Sequence, residues 1–221
     1  MSAVIHIIDD DASVRAATSF LLRSHGYAAQ IYGSGAEFVE SARLMSGCIL
    51  LDLRMPEMDG FAVQAELARR DCDLPVILMT GHGDIPSAVR ALKLGAVDFI
   101  EKPFEEEALI QSVEQALAVA EVRRRGRGRR TKALAAIGLL SAREKQILRG
   151  LLAGMTNKEI ARRFDISPRT VEMHRANMMR DMGCESLSDV IRIGVEAELE
   201  PLPRVDGQPE LEFPLMQGFA A

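Results

Sequence analysis

No stretch of the 221-residue chain approaches 18 consecutive apolar residues, and its N-terminus has no basic region leading into an apolar core and a small-residue site. A membrane-spanning or secreted protein is therefore not expected, and the sequence reads as soluble and cytoplasmic. Cysteine is scarce too. Cys48, Cys72 and Cys184 are odd in number and scattered, which excludes a disulfide framework and the spacing of a cysteine metal site. Cys48 lies inside an apolar run and reads as a small buried hydrophobe. What remains, 48% hydrophobic residues over this length, can bury one large core or two small ones.

Charge is unevenly spread. Residues 1–122 carry 19 acids and 9 bases, residues 123–195 carry 7 acids and 17 bases, and residues 196–221 carry 6 acids and 1 base. An acidic first half, a basic second segment and an acidic tail imply separate tasks, with phosphate binding expected of the basic part.

In the first half, short apolar runs alternate with amphipathic stretches. Val4–Ile8, Ala28–Tyr32, the run ending at Asp52, Pro75–Met79 and Val97–Ile100 read as strands, each followed by a helical pattern. That alternation predicts an α/β parallel sheet with right-handed crossovers. Ligands of such sheets bind beyond the carboxyl ends of the strands, and here those ends supply Asp9 and Asp10, Asp52, Thr80 and Lys102.

Three carboxylates in one pocket repel one another and invite a cation, and a hard one such as Mg²⁺ suits oxygen ligands. The chemistry expected is an in-line phosphoryl transfer to Asp52. Mg²⁺ would lie on Asp10 and Asp52, with Asp9 behind, while Lys102 supplies charge and Thr80 a hydroxyl to the phosphate. Each group also has an ordinary explanation: Asp9–Asp11 as a helix cap, Thr80 as a turn hydroxyl, Lys102 as a solvated lysine. His82 reads as a solvated loop residue that could touch the phosphate. His6 and His25 have no partner evident in the sequence.

The segments IIDDD, LLDLRMPEMDG, LMTGHGD and DFIEKPF, in this order and spacing, resemble the receiver domain of two-component response regulators. The resemblance implies a flavodoxin-like, doubly wound, five-stranded sheet in the order 2-1-3-4-5, and phosphorylation of Asp52 by a histidine kinase. It also implies the backbone carbonyl of Arg54 as a third Mg²⁺ ligand, Thr80 and Phe99 as a switch pair, and a cis Lys102–Pro103 peptide. Phe99 has no hydroxyl with which to end its movement in a hydrogen bond.

Seven bases fall between Arg123 and Lys132, interrupted by Gly126 and Gly128. The glycines argue against one rigid helix, leaving a flexible linker or a phosphate-binding arm. Beyond it, Ser141 with Glu144 and Thr156 with Glu159 are capping boxes, and Ser167-Pro168 and Ser186 begin two further helices. A turn at Asp165–Ser167 joins a shorter helix to a longer one, as a helix-turn-helix requires. In the longer helix Val171, His174, Met178 and Met182 face inward. Arg169, Thr170, Glu172, Met173, Arg175, Ala176 and Asn177 face out, where carboxylate and amide groups can read bases. Lys158, Arg162 and Arg163 could reach phosphates, and Ser167 is also expected among the DNA-binding residues. His174 reads as packed or phosphate-facing.

Residues LSAREKQILRGLLAGMTNKEIARRFDISPRTVEMHRANMMRDMG resemble the LuxR-type helix-turn-helix module, and the whole chain resembles a FixJ-type regulator. That resemblance implies a small all-α four-helix domain and a dimer on double-stranded DNA. The expected organisation is a receiver at 1–121, a basic linker at 122–136, a DNA-binding domain at 137–198 and an acidic, proline-rich tail at 199–221. The tail should be extended yet able to dock through Leu211, Phe213, Leu215, Met216 and Phe219. Phosphorylation is expected to change the surface from about Asp84 to Val119 and promote a homodimer. Two other classes compete. A constitutive DNA-binding protein would use its receiver only for interaction. A phosphatase of the haloacid-dehalogenase type would need an acid where Arg54 stands, so an enzyme is not expected.

Overall fold

Apolar runs bounded by turn residues become strands, and the amphipathic stretches between them become helices. The computed structural model describes residues 3–42, 46–81 and 85–203. The chain divides into two units, the first ending at Gly126 and the second beginning at Arg127. The first contains β1 (Val4–Ile8), α1 (Ala12–Ser24), β2 (Ala28–Tyr32), α2 (Gly35–Ser41), β3 (Gly47–Asp52), α3 (Gly60–Arg69), β4 (Val76–Thr80), α4 (Ile85–Lys93) and β5 (Asp98–Glu101). The five strands are parallel in the order β2-β1-β3-β4-β5, as the receiver resemblance implied.

Successive strand residues point to opposite faces, so each strand feeds two cores. Ile8, Ile49, Leu51 and Leu78 pack with Phe38, Val63 and Leu67 on the face of α2 and α3. Ile5, Ile7, Cys48, Leu50, Ile77 and Met79 pack with Leu22, Leu109 and Val113 on the other. Each such fully buried aliphatic side chain contributes roughly 1.5–3 kcal/mol. Central β3 is buried at every residue, which explains its unbroken apolar run before Asp52. Burial pushes the Cys48 thiol up to about 12, so it stays a neutral core residue.

α5 (Glu106–Gly138) overturns one expectation. It runs unbroken through Gly126 and Gly128, where a flexible interruption was expected. The two glycines cost a helix roughly 1 kcal/mol each relative to alanine. Contacts at both sides offset this. Glu121 receives Arg124 and Arg125 at helical spacing, and Ala133 and Ile137 are anchored in the second unit's core.

That core also gathers α6 (Ala142–Leu152), α7 (Asn157–Arg163), α8 (Pro168–Asp181) and α9 (Leu187–Glu196) around Ile147, Leu148, Ile160, Val171, Met178 and Val190. The capping boxes at Ser141/Glu144 and Thr156/Glu159 form, and a third joins Ser186 to Asp189. Past α9 the chain does not wander off at once. Arg149 Nε donates to the Glu200 carbonyl (2.7 Å), Leu202 N–H donates to the Arg149 carbonyl (3.1 Å), and Arg163 donates to the Pro203 carbonyl (3.1 Å). His82, Asp84 and the tail from Arg204, including its five docking candidates, lie outside the described residues.

Candidate functional site

The sheet register builds the acidic pocket. Ile8 pairs with Leu51, so the next residues, Asp9 and Asp52, stand side by side where β1 and β3 end. Both are buried, Asp9 at 0% and Asp52 at 5% exposure, whereas Asp10 is exposed. One carboxylate oxygen from each of Asp9, Asp10 and Asp52 lies within 4.8 Å of the other two.

Lys102 arrives from the end of β5, two strands away. Its backbone N–H donates to the Thr80 carbonyl (2.7 Å), and its Nζ donates to Asp9 Oδ2 (2.5 Å) and Asp52 Oδ1 (2.6 Å). The Lys102–Pro103 peptide is cis. The Arg54 N–H donates to Asp52 Oδ2 (3.1 Å), and the Asp11 N–H to Asp9 Oδ1 (3.0 Å).

Burial pushes the Asp52 carboxyl above its ordinary value, with the Lys102 ammonium pulling the other way. Burial alone would lower the Lys102 ammonium, but its bonds to Asp52 and Asp9 win and raise it. Three clustered carboxylates against this ammonium fit a divalent cation held by oxygen. An open cleft of about 540 Å³ is lined by Asp10 together with Arg54, Met55, Pro56, Asp59 and Ser87.

Thr80 is buried at the end of β4, at the same edge. Phe99 lies on β5 opposite Leu78 and is 42% exposed. Two further residues shape the site. A Cβ at Gly60 would lie 2.6 Å from the Asp52 carbonyl, so only glycine lets α3 start this close to β3. Arg15 Nη1 donates to the Asp9 carbonyl (2.6 Å), bracing the loop from α1. A cation near the start of a helix, where the dipole disfavours it, was the available signal.

His6 and His25 have partners after all. His6 Nδ1 lies 3.2 Å from the Tyr32 hydroxyl, and the His25 ring 3.3 Å from Glu106. Tyr32 and Glu106 are remote in sequence, whereas His25 Nδ1 also lies 3.1 Å from the Leu21 carbonyl one turn back, a contact that helix geometry offers locally.

In the second unit, Ser167 caps α8 by accepting from the Thr170 N–H (3.0 Å), with Pro168 in the first turn. Val171 and Met178 are buried, leaving Arg169, Glu172, Met173 and Ala176 exposed. Met173, 53% exposed, is a large apolar side chain displayed on a charged face. Thr170, Arg175 and Asn177 are half-buried rather than fully displayed, because they flank the buried face of α8, Thr170 and Asn177 on one side and Arg175 on the other. Arg175 Nη1 donates to Asn157 Oδ1 on α7 (2.8 Å).

His174 turns inward. Its Nδ1 is 3.8 Å from Glu144 at the start of α6, which places it as the packing residue rather than as part of the displayed face. Burial would raise the Glu144 carboxyl, but hydrogen bonds from Ser141 and the nearby His174 hold it below its ordinary value. Lys158, Arg162 and Arg163 lie on α7. Lys158 and Arg162 are exposed, and Arg163 is engaged by Pro203.

Comparison with known proteins agrees with both halves. The family described as response regulator receiver domain matches residues 5–114, and bacterial regulatory proteins of the luxR family match residues 138–193. The chain is 42% identical over 194 residues to the transcriptional regulatory protein FixJ of Bradyrhizobium diazoefficiens, covering 87% of this chain and 95% of the relative. It is 42% identical to the response regulator protein TodT of Pseudomonas putida over 87% of this chain and 85% of that protein. Among solved structures, the response regulator StyR aligns with a TM-score of 0.73 and 36% identity, over 89% of this chain and all of that one. Full-length FixJ from B. japonicum aligns with a TM-score of 0.55 and 41% identity, over 90% and 98%.

Proposed function

Because this chain belongs to the response-regulator family, joining a receiver domain to a luxR-type DNA-binding domain, we propose that Asp52 is its phosphoacceptor. The chain is a phosphorylation-dependent DNA-binding transcriptional regulator. The observation that carries the assignment of Asp52 is the Lys102 ammonium, shared between Asp9 and Asp52 at 2.5 and 2.6 Å on the loop edge of the sheet. A carboxylate oxygen of Asp52, released from its bond to Lys102 or to the Arg54 N–H, attacks the phosphorus of a sensor kinase's phosphohistidine. The O–P bond forms as the P–N bond breaks and imidazole leaves.

Asp10, Asp52 and the Arg54 carbonyl would hold Mg²⁺, with Asp9 bracing through Lys102. When bound, Mg²⁺ supplies charge to neutralise the phosphoryl oxygens. Lys102 exchanges a carboxylate for a phosphate oxygen, and Thr80 donates its hydroxyl to the phosphate. Asp52 is a stoichiometric acceptor, so no catalytic turnover is assigned.

The switch ends on the surface. Thr80 moves toward the phosphate, Phe99 follows, and the exposed apolar residues Val89, Leu92, Leu94 and Phe99 join a homodimer face. The functional division is a receiver at 1–121, a connecting basic segment at 122–136, a DNA-binding domain at 137–198 and a tail from 199. Ser167, Arg169, Thr170, Glu172, Met173, Arg175 and Asn177, with Lys158, meet double-stranded DNA, and His174 supports them from behind. No helix among the described residues is long and apolar enough to cross a membrane.

Acetyl phosphate with Mg²⁺ should add one phosphoryl group by intact mass, and Asp52→Ala should add none. Unmodified wild-type protein, or a modified Asp52→Ala, overturns the assignment. Sedimentation with and without beryllofluoride tests the dimer. Identical oligomeric states remove that step.

A further inference from the structure

Resting on the DNA-binding reading above, we infer that Asn157 is a positioning residue that holds Arg175 ready for a DNA phosphate. Asn157 opens α7 immediately after the Thr156 cap. The reciprocal bonds of that cap, from the Thr156 N–H to Glu159 Oε2 (2.6 Å) and from the Glu159 N–H to the Thr156 hydroxyl (3.3 Å), fix the backbone from which Asn157 projects. Arg175 lies in the middle of α8 between the buried anchors Val171 and Met178, so its own backbone is equally fixed. The 2.8 Å bond from Arg175 Nη1 to Asn157 Oδ1 ties two rigid elements through an otherwise floppy side chain.

The chemistry of the partner matters more than the bond itself. A guanidinium has five N–H donors, and Asn157 takes one of them without cancelling the positive charge. An aspartate here would form a salt bridge and consume that charge. Among the described residues no carboxylate is paired with Arg175. The residue is therefore held in orientation with its charge and its remaining donors unspent.

Its place on α8 selects phosphate over base. The exposed stripe of Arg169, Glu172, Met173 and Ala176 is the centre of the displayed face, whereas Arg175 is half-buried at the flank beside α7. When a helix enters the major groove its central stripe meets base edges, and its flanks meet the backbone of the groove wall. Lys158, adjacent to Asn157 in sequence and exposed, adds charge on the same element.

The test uses the full chain and a short fluorescent duplex of arbitrary sequence, with affinity measured across a salt series. Arg175→Ala should lower the slope of log affinity against log salt by about 0.9, the value of one lost phosphate contact. Asn157→Asp should lower the slope similarly, because it keeps the bond and cancels the charge. Asn157→Ala should weaken binding severalfold in the wild-type background and have no effect in an Arg175→Ala background. Thermal midpoints establish that each variant is folded. Equal losses from Asn157→Ala in both backgrounds, or an unchanged slope in Arg175→Ala, overturn the inference while leaving the DNA-binding reading intact. A wild-type chain with no salt-dependent affinity for the duplex overturns that reading and the inference together.

Discussion

The two units handle charge in opposite ways. The first buries Asp9 and Asp52 at a sheet edge and balances them with one reaching lysine, whereas the second stores apolar residues inside and displays its bases. The difference is one of solvent. Charges withdrawn from water interact strongly and are expensive to leave unpaired, so the pocket is poised to respond to one added phosphate and one cation. Displayed charges interact weakly with one another and strongly with a dense polyanion, and mobile ions screen them. A switch belongs in the first environment, and a reader of nucleic acid in the second.

The comparison is broken most severely at Lys102. Lys102→Met leaves two buried carboxylates without their ammonium and should cost about 3 kcal/mol, the scale of a broken buried pair. Urea unfolding of the first unit would show this, and millimolar Mg²⁺ should recover part of the loss. No loss in the variant would mean the acids are solvated and the contrast between the units is false.

Salt sharpens the comparison. Raising salt from about 50 to about 200 mM should weaken duplex binding on the order of a hundredfold if about four phosphates are contacted. The extent of phosphorylation by acetyl phosphate over the same range should change little, since the pocket is shielded. Parallel losses in both readouts would contradict the division of labour.

A smaller effect separates the units by pH. Burial holds the His6 imidazole below its ordinary 6.5, so the folded chain keeps it neutral. Below about pH 6.5 the unfolded chain binds a proton that the folded chain does not. Stability therefore falls with pH in that window, by at most about 1.4 kcal/mol per pH unit, until the folded imidazole also titrates. His6→Phe should remove this component from urea midpoints compared at about pH 7.5 and about pH 5.5. An unchanged pH slope would rule out His6 as its source.

The smallest effect lies at the junction. A Cβ at Gly126 or Gly128 meets nothing within 4 Å, and both residues are helical. Gly126→Ala and Gly128→Ala should each stabilise the α5 backbone by up to ~1 kcal/mol, read as slower amide exchange around 122–132. Unaltered exchange there would mean the glycines do not limit the helix.

Much of this was legible locally. Period-two and period-3.6 patterns, proline and glycine boundaries and two capping boxes act over a few residues, so strands, helices and their starts could be read directly. The alignment of Asp9, Asp52, Thr80 and Lys102 also followed, because in a parallel sheet every strand ends at the same edge. Contacts between distant residues were not legible. The Lys102 bonds to Asp9 and Asp52 span 93 and 50 positions, and the bond of His6 to Tyr32 spans 26. The continuity of α5 through two glycines also depended on anchors elsewhere, at Ala133 and Ile137. Local sequence alone determined which groups stood at the ends of their elements. Tertiary packing decided which of them met, because partner choice depends on strand order and helix docking, and neither is encoded within a single turn or strand.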